Sequence, residues 1–437
     1  MAQFRKDTHQ YLGDGKTIFE VVMLSDQYGN LVGPANPSGT AVDAFGRARI
    51  SLPFTMFDSS HRYADNGEWV TSNTAGSTYT HNANAGLIEL TVDTTANTEI
   101  IRETKKVFSY QPGKSLNNLN TFVFNPAKAN LRQRVGYFGA QNGIYLELDG
   151  STLSFVERSY VTGSLTETRA AQSSWNVDKL DGTGPSLLTL DISKAQIFWM
   201  DIEWLGLGTV RCGFIINGQL IHCHSFHHAN LITSTYITTA SLPLRYEIKN
   251  TGATANNSTL KQICSTVISE GGYELRGTQQ SIGTDITAGK TLTTAGTFYP
   301  VVALRLKSSP DRLDAIVILT ALSLLGTGNG INYKWRVIQN CTVSGGTWTS
   351  AGTNSSVEYS LDSTAVDQTN ARTLAGGFLN SSNQGSPTLN VLKEELFAFQ
   401  LERNGLTSTP YTLALIVTSD TDTKTVFGSL DWEEISR

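Results

Sequence analysis

The stretch TVRCGFIINGQLIHCHSF, residues 209–226, predicts the fold, because two strand-like runs flank the dipeptide Asn217-Gly218. An Asn-Gly pair between apolar runs is the strongest short-range signal for a β-hairpin with a two-residue loop. The register that this loop sets places Cys212 opposite Cys223. Both residues then belong to a hydrogen-bonded pair, which is a poor geometry for a disulfide. We therefore expect two reduced thiols in the core.

The rest of the chain repeats this pattern of short strands and tight turns. Further Asn-Gly and Asp-Gly pairs separate apolar runs, only 16 % of the 437 residues are charged, and 39 are glycine. Typical globular domains carry about 25 % charged residues, and exposed helices need such charged faces. We predict an all-β protein of tandem antiparallel β-sandwich or jelly-roll domains with an extended N-terminal arm.

Three regions are predicted along the chain. Residues 1–115 form the N-terminal arm and a small β region, and the start of this region is rich in glycine and proline but poor in core residues. Residues 116–270 carry the densest run of strands and predict a first sandwich, and residues 271–437 predict a second. The only helix-like stretch, Leu392–Leu401, could equally be a strand.

Charge and apolar content exclude several classes of partner. The net charge is −5, from 33 basic and 38 acidic residues, so no basic surface is expected for nucleic acid. Apolar runs such as Ala315–Leu319 reach about five residues, far below the ~20 of a membrane helix, and we expect no membrane insertion. Residues Met1–Leu12 lack the apolar segment of a secretory signal. Four cysteines without metal-type spacing indicate a reducing compartment.

Asp201 and Glu203 form the most suggestive catalytic pattern, because carboxylates at i and i+2 share one strand face, as glycosidase acid and base groups do. The surrounding WMDIEWLG, residues 199–206, resembles the active-site strand of laminarinase-like, concanavalin-A-type glycoside hydrolases, with its Glu-x-Asp-x-Glu pattern. The resemblance implies that Asp201 is the middle aspartate and Glu203 the acid/base. Trp199, however, stands at the nucleophile position, and an indole cannot form the glycosyl-enzyme ester. We favour ordinary sandwich packing, with a carbohydrate-binding remnant as the alternative.

Four of the seven histidines lie within residues 222–228 and suggest a zinc site, because His222 and His224 share a strand face. The hairpin register argues against this site. His224 faces Arg211, whose positive charge opposes a dication, and His222 faces Gly213, which offers no ligand. We expect the histidines to lie on a sheet surface or at an interface, and we assign no metal.

Several longer blocks of sequence are distinctive as a set. They are AVDAFGRARIS (41–51), FDSSHRYADNG (57–67), IIRETKKVFSYQPGKS (100–115), LRQRVGYFGAQNGIYLELDG (131–150), QSSWNVDKLDGTGPS (172–186), FHHANLITSTYITTASLPLRYEI (226–248), LRLKSSPDRLDAIVIL (304–319) and LDWEEIS (430–436). Over most of the chain they resemble a family of virion structural proteins from tailed phages of marine and freshwater bacteria, cyanophages included. The resemblance implies a particle component with no chemistry of its own.

We therefore expect a non-enzymatic virion protein, either a capsid decoration or head fibre or a neck or tail appendage, assembled in the host cytoplasm. Residues 1–51 would dock on the major capsid protein or on neck or tail proteins, and the two sandwiches would project outward. A homotrimer is expected, because pairing exposed strand edges protects them from aggregation. No catalytic, cofactor-binding or metal-binding residue is assigned.

Two other classes of protein stay open. A glycan-binding host-attachment fibre would use Trp204, Trp175 or Tyr145 as stacking platforms. A laminarinase-like depolymerase acting on host glycan would need a carboxylate at or near Trp199. The candidates for that carboxylate are Glu147, Glu157 and Asp201.

Overall fold

The computed structural model describes residues 9–11, 18–20, 52–382 and 398–436, and its named elements are β-strands and one 3-10 helix at Gln172–Ser174. This confirms the all-β prediction. No helix in the described part is long and apolar enough to cross a membrane. The arm predicted for residues 1–51 lies outside the described residues, except for the short antiparallel strands β1 (His9–Tyr11) and β2 (Ile18–Glu20).

The first sandwich packs a seven-stranded antiparallel sheet, sheet A, against an eight-stranded one, sheet B. Its strands are β3 (Phe54–Ser59), β4 (Trp69–Asn73), β5 (Ser77–Asn82), β6 (Leu87–Val92), β7 (Glu99–Thr104), β8 (Leu116–Val123), β9 (Leu131–Phe138), β10 (Gly143–Asp149), β11 (Thr152–Ser159), β12 (Thr166–Ala171), β13 (Gln196–Ile202), β14 (Val210–Ile216), β15 (Gln219–Phe226), β16 (Leu244–Asn250) and β17 (Ser258–Ser269). Sheet A has the order β12-β11-β10-β9-β16-β7-β4. Sheet B has the order β15-β14-β13-β8-β17-β6-β5, with β3 beside β17. The sandwich therefore takes strands from both sides of the division placed at residue 115.

Alternation along each strand decides which side chains enter the core between the two sheets. On β13, Phe198, Met200 and Ile202 lie in this core. Trp199 and Asp201, which alternate with them, take the opposite face of sheet B. The outward face of β13 therefore carries Trp199 and Asp201, two of the residues in the glycosidase-like sequence pattern.

The hairpin of β14 and β15 follows the predicted register next to its turn. Phe214 lies opposite Ile221 and Gly213 opposite His222. Between Gly213 and Cys212 a β-bulge shifts the pairing by one residue. A turn sequence fixes only the register that it begins, so the bulge could not be deduced from it.

Beyond the bulge, two predicted pairings are wrong. Cys212 lies opposite His224, not opposite Cys223, and Arg211 lies opposite Ser225, not opposite His224. Both thiols are nevertheless free and fully buried in the core of the first sandwich. Burial raises the pKa of the Cys212 thiol well above its usual range, which is the behaviour of an unreactive core cysteine.

The outward face of sheet A carries buried ion pairs between adjacent strands. Glu247, Arg134 and Glu147 occupy facing positions on β16, β9 and β10. The Arg134 Nε atom lies 2.7 Å from Glu147 Oε2, and Arg134 Nη1 lies 3.4 Å from Glu247 Oε2. We call the whole set the charge ladder. Its members are Glu103, Arg134, Glu147, Arg158, Glu167, Arg169, Arg245 and Glu247.

Glu167 shows how strongly the charge ladder holds its carboxylates. Burial alone would raise its pKa, but hydrogen bonds from Tyr145, Arg158 and Arg169 outweigh burial and lower the pKa to about 2. The Tyr145 hydroxyl lies 2.7 Å and Arg158 Nη2 2.8 Å from the same oxygen, Oε1. The Glu167 carboxylate is therefore charged at neutral pH, and the ladder sets four arginines against four glutamates.

The second sandwich packs a four-stranded sheet against a seven-stranded one. Its strands, with a separate pair β27 and β28, are β18 (Thr278–Gly283), β19 (Lys290–Leu292), β20 (Tyr299–Leu306), β21 (Ile316–Gly326), β22 (Asn332–Ser344), β23 (Thr349–Ser350), β24 (Val357–Ser360), β25 (Ala365–Asp367), β26 (Arg372–Asn380), β27 (Arg403–Asn404), β28 (Thr409–Pro410), β29 (Thr412–Ser419) and β30 (Lys424–Ser436). β30 pairs with β18, β19 and β21, and the larger sheet has the order β23-β24-β20-β29-β22-β25, with β26 beside β22. Leu304, Val337, Leu415 and Trp432 meet in its core.

Arg403 joins the two sandwiches through a buried ion pair. Its Nη1 atom lies 2.9 Å from Glu103 Oε1 on β7, and both side chains are 3 % exposed. The same guanidinium lies 3.2 Å from Asp314 and donates to the backbone oxygen of Thr104 at 2.9 Å. Arg403 thus forms ion pairs with a carboxylate of each sandwich, Glu103 in the first and Asp314 in the second.

We expect Arg403→Met to lower the free energy of unfolding by about 3 kcal/mol, because it leaves the buried Glu103 without one of its cations. Equilibrium denaturation in urea measures this change. Arg276→Met is the matched control, since Arg276 is 79 % exposed in its ion pair with Glu274. Exposed pairs contribute little, so the control should change stability by no more than about 0.5 kcal/mol. Equal effects of the two substitutions would contradict the assignment.

Candidate functional site

Asp201 and Glu203 line one cleft of about 420 Å³ at the end of β13. Asp201 is the penultimate residue of the strand, and Glu203 follows its last residue. The remaining walls come from the β7–β8 connection, from the β13–β14 loop and from the start of β14. The cleft residues are Tyr110, Gly113, Lys114, Ser115, Asp201, Glu203, Leu205, Thr209 and Arg211.

The two carboxylates have different surroundings. Asp201 is 4 % exposed and forms an ion pair with Arg211, while its Oδ1 atom is buried and accepts no hydrogen bond within the described chain. Glu203 is exposed, and its Oε2 atom accepts a hydrogen bond from the Thr209 backbone N–H at 3.2 Å. Arg211 therefore neutralises the Asp201 carboxylate, whereas the Glu203 carboxylate faces solvent.

Trp199 fills the place that a nucleophilic carboxylate would need. Its indole is 5 % exposed, with the Arg211 guanidinium 5.7 Å from the ring centre and the His222 ring 6.2 Å away, edge to face. Covalent glycosidase chemistry needs a carboxylate at this position. The indole instead packs as a structural group on the outward face of sheet B.

Glu147 and Glu157, the substitute carboxylates considered from sequence, lie outside the cleft lining. Glu147 belongs to the charge ladder, where its two oxygens each lie 2.7 Å from an arginine, Arg134 and Arg169. Glu157 is buried and its Oε2 atom lies 2.7 Å from Nε2 of His228. The structure therefore brings together only Asp201 and Glu203 of the candidate carboxylates.

His222 and His224 take opposite faces of sheet B, so their predicted shared face is wrong. The bulge turns His224 inward, where its ring lies 6.3 Å from Phe155 and 4.6 Å from Phe226. His222 faces outward against Trp199. Within the described residues, no group of three or more His, Cys, Asp or Glu side chains could hold a metal ion.

His228 forms a buried ion pair that sequence reasoning missed. Its Nε2 atom lies 2.7 Å from Glu157, and its Nδ1 atom lies 2.5 Å from the Gly208 carbonyl oxygen, so both nitrogens have acceptors. The Tyr236 ring stacks on the imidazole at 3.9 Å. Burial lowers the pKa of His228, but the hydrogen bond to Glu157 and its charge outweigh burial, and the net shift is upward.

The three aromatic residues predicted as sugar-stacking platforms, Trp175, Tyr145 and Trp204, all pack against other protein groups. Trp175 lies in the core, 4.4 Å from Phe155. Tyr145 is fully buried in the charge ladder. Trp204 is half-buried, packs edge to face on Tyr110 at 5.7 Å and donates from Nε1 to the Ile237 carbonyl oxygen. A sugar ring would have to displace one of these contacts.

Sequence reasoning also missed Tyr110 and Lys114, which reach the cleft from the β7–β8 connection. Nothing in their local sequence indicates that this connection lies beside β13, because only sheet pairing brings the two together. The charge ladder could have been predicted from a pattern in the sequence. Charged and apolar residues alternate through β9 and β10, and such a pattern places the charges on one sheet face.

No protein-family model matches this chain, and no curated protein matches it either. Among solved structures, a Bacillus licheniformis β-glucanase aligns with 49 % of this chain and 97 % of its own, at 11 % identity and a TM-score of 0.33. The carbohydrate recognition domain of Emp47p aligns over 50 % and 98 %, at 12 % identity and a TM-score of 0.31. Peanut lectin aligns over 50 % and 98 %, at 10 % identity and a TM-score of 0.29. These likenesses are distant and carry no argument about function.

We expect acid to destabilise the protein, because burial lowers the pKa of His224 and of His61 from 6.5 to about 4. Between these pH values both histidines are protonated in the unfolded chain but neutral in the folded chain. The free energy of unfolding therefore decreases as the pH falls from 6.5 towards 4. His224→Gln should flatten this slope by up to about 1 kcal/mol per pH unit.

The measurement is urea denaturation at a series of pH values across this window. Leu220→Gln, at an exposed position of the same strand, is the control and should leave the slope unchanged, because it removes no titratable group. An unaltered slope in His224→Gln would contradict the buried, neutral state of His224.

Proposed function

We propose that this chain is a non-enzymatic structural protein of a tailed-phage particle, either a capsid decoration or head fibre or a neck or tail appendage. The occupation of the nucleophile position by the buried Trp199 carries the non-enzymatic part of this proposal. The neighbouring Asp201 is bound by Arg211, so the outward face of β13 has the contacts of a packing surface.

The contact between the two sandwiches supports a structural role. Glu103 receives Arg403 from the second sandwich at 2.9 Å and Arg245 from the first at 3.1 Å. Gln400 adds a hydrogen bond from Nε2 to the Val107 carbonyl oxygen at 2.8 Å. A buried carboxylate shared between two arginines resists relative movement, because parting them leaves a charge unpaired. A projecting particle component benefits from such stiffness.

The resemblance of the sequence blocks to phage virion proteins is what supports the choice of particle and partners. In this proposal residues 1–51 dock on the major capsid protein or on neck or tail proteins, and the sandwiches face outward. Assembly takes place in the host cytoplasm, and a homotrimer covers strand edges that would otherwise pair with other chains.

Quantitative mass spectrometry of purified particles tests this function. A ratio to the major capsid protein that corresponds to hundreds of copies would identify a capsid decoration, and about six to eighteen copies would identify a vertex, neck or tail component. Absence of the chain from purified particles would contradict the proposal.

Glycan binding is the second candidate function, and the cleft is the observation that favours it. Asp201, Glu203, Lys114 and Arg211 offer donors and acceptors within about 420 Å³, which suits a hydroxyl-rich ligand. A depolymerase would use the same groups to cleave the ligand.

An activity assay on laminarin and mixed-linkage β-glucan separates these alternatives. We expect no release of reducing ends above that of a protein-free blank, and the same result for Glu203→Gln. Release that disappears in Glu203→Gln would establish a hydrolase and overturn the non-enzymatic proposal. Binding of an oligosaccharide without cleavage would favour the attachment role.

A further inference from the structure

We propose that the end of the first sandwich that carries the cleft docks on a zwitterionic phospholipid bilayer. The docking surface is a group of exposed aliphatic side chains on two loops, the β13–β14 loop and the β15–β16 connection. We call this group the apolar tip. Its members and their exposed fractions are Leu205 57 %, Leu207 41 %, Leu231 71 % and Ile232 37 %.

The two loops of the apolar tip are bonded to each other. The Tyr236 backbone N–H donates to the Gly206 carbonyl oxygen at 3.0 Å, and His228 Nδ1 lies 2.5 Å from the Gly208 carbonyl oxygen. Beneath them the buried pair of His228 and Glu157 fixes the imidazole. The backbone beneath the apolar tip is therefore held in place, and docking costs the two loops little conformational entropy.

The backbone at Leu205 has a conformation that leucine rarely adopts. Its φ is +42°, in the left-handed region that large side chains avoid, and the following Gly206 has a φ of +80°. Such a conformation costs a leucine about 1–2 kcal/mol and persists only where the surroundings determine it. Here the Tyr110 hydroxyl, 3.2 Å from the Trp204 backbone N–H, and the bonds to Tyr236 hold the turn.

Size and composition favour a lipid surface over a protein partner. The exposed parts of the four aliphatic side chains add up to an area on the order of 300 Å², whereas a specific protein interface covers about 800 Å² on each side. The patch consists of leucine and isoleucine, and protein interfaces depend chiefly on Trp, Tyr and Arg. Shallow insertion into a bilayer needs only a few aliphatic groups at the level of the headgroups.

The charges beside the apolar tip match a zwitterionic headgroup. Leu205 lines the same cleft as Lys114 and Arg211, which can contact a phosphate, and as Glu203, which can contact an ammonium group. Arg211 is half exposed even though it pairs with Asp201. A strongly anionic surface fits less well, because the whole chain carries a net charge of −5.

Flotation of the full chain with vesicles of phosphatidylcholine and phosphatidylethanolamine tests the proposal. We expect the wild type to float with the vesicles, and Leu205→Ser and Leu231→Ser each to weaken binding about tenfold. Ile286→Ser is the matched control, because Ile286 is 76 % exposed in a turn of the second sandwich. This control should bind as the wild type does.

Three results would overturn the proposal. The wild type would stay unbound at any lipid concentration if the apolar tip served a protein partner. Equal weakening by Ile286→Ser would show that the contact is not confined to the tip. Binding only to vesicles that contain phosphatidylglycerol would show that attraction to anionic lipid, not the apolar tip, drives it.

Discussion

Buried charges pair across adjacent strands of sheet A, and this pairing sets both the register of the sheet and its contact with the second sandwich. Glu247, Arg134 and Glu147 face one another on three neighbouring strands of sheet A, with side chains no more than 6 % exposed. A slip of one residue in any strand would turn these charges into the apolar core. Because a buried charge without a partner costs several kcal/mol, the charge ladder fixes the register of the sheet. Through Glu103 the same pairing reaches Arg403, so it also fixes how the second sandwich joins the first.

This use of charge bears directly on function. Of the four candidate carboxylates, Glu147 and Asp201 pair with arginines, Glu157 pairs with His228, and only Glu203 faces solvent. The position that would need a nucleophilic carboxylate holds the buried Trp199. What sheet B offers instead is a polar cleft and, beside it, the apolar tip. In our proposals each of them is a surface for contact. The particle component that we propose would hold its shape and touch a surface at one end, which is consistent with these features.

The sequence predicted the fold class because turn dipeptides and strand alternation are local signals. It predicted the register next to Asn217-Gly218 for the same reason, and it failed beyond Gly213 because a bulge depends on packing against the rest of the sheet. Asp201 and Glu203 could be placed together because they are two residues apart at the end of one strand. Tyr110 and the pair of Glu157 and His228 could not, because only the pairing and packing of distant strands bring them to the cleft and its loops. The division at residue 115 missed the early strands, which enter both sheets of the first sandwich.

Electron cryo-microscopy of the intact particle is the direct test of our proposal that this chain is a stiff component of a virion. We expect density into which residues 54–382 and 398–436 fit as two sandwiches in one fixed orientation, repeated by the symmetry of the head, neck or tail. Density for two sandwiches whose orientation varies between copies would contradict the stiffness that Glu103 and Arg403 confer. A particle map without density for the chain would contradict the structural role itself.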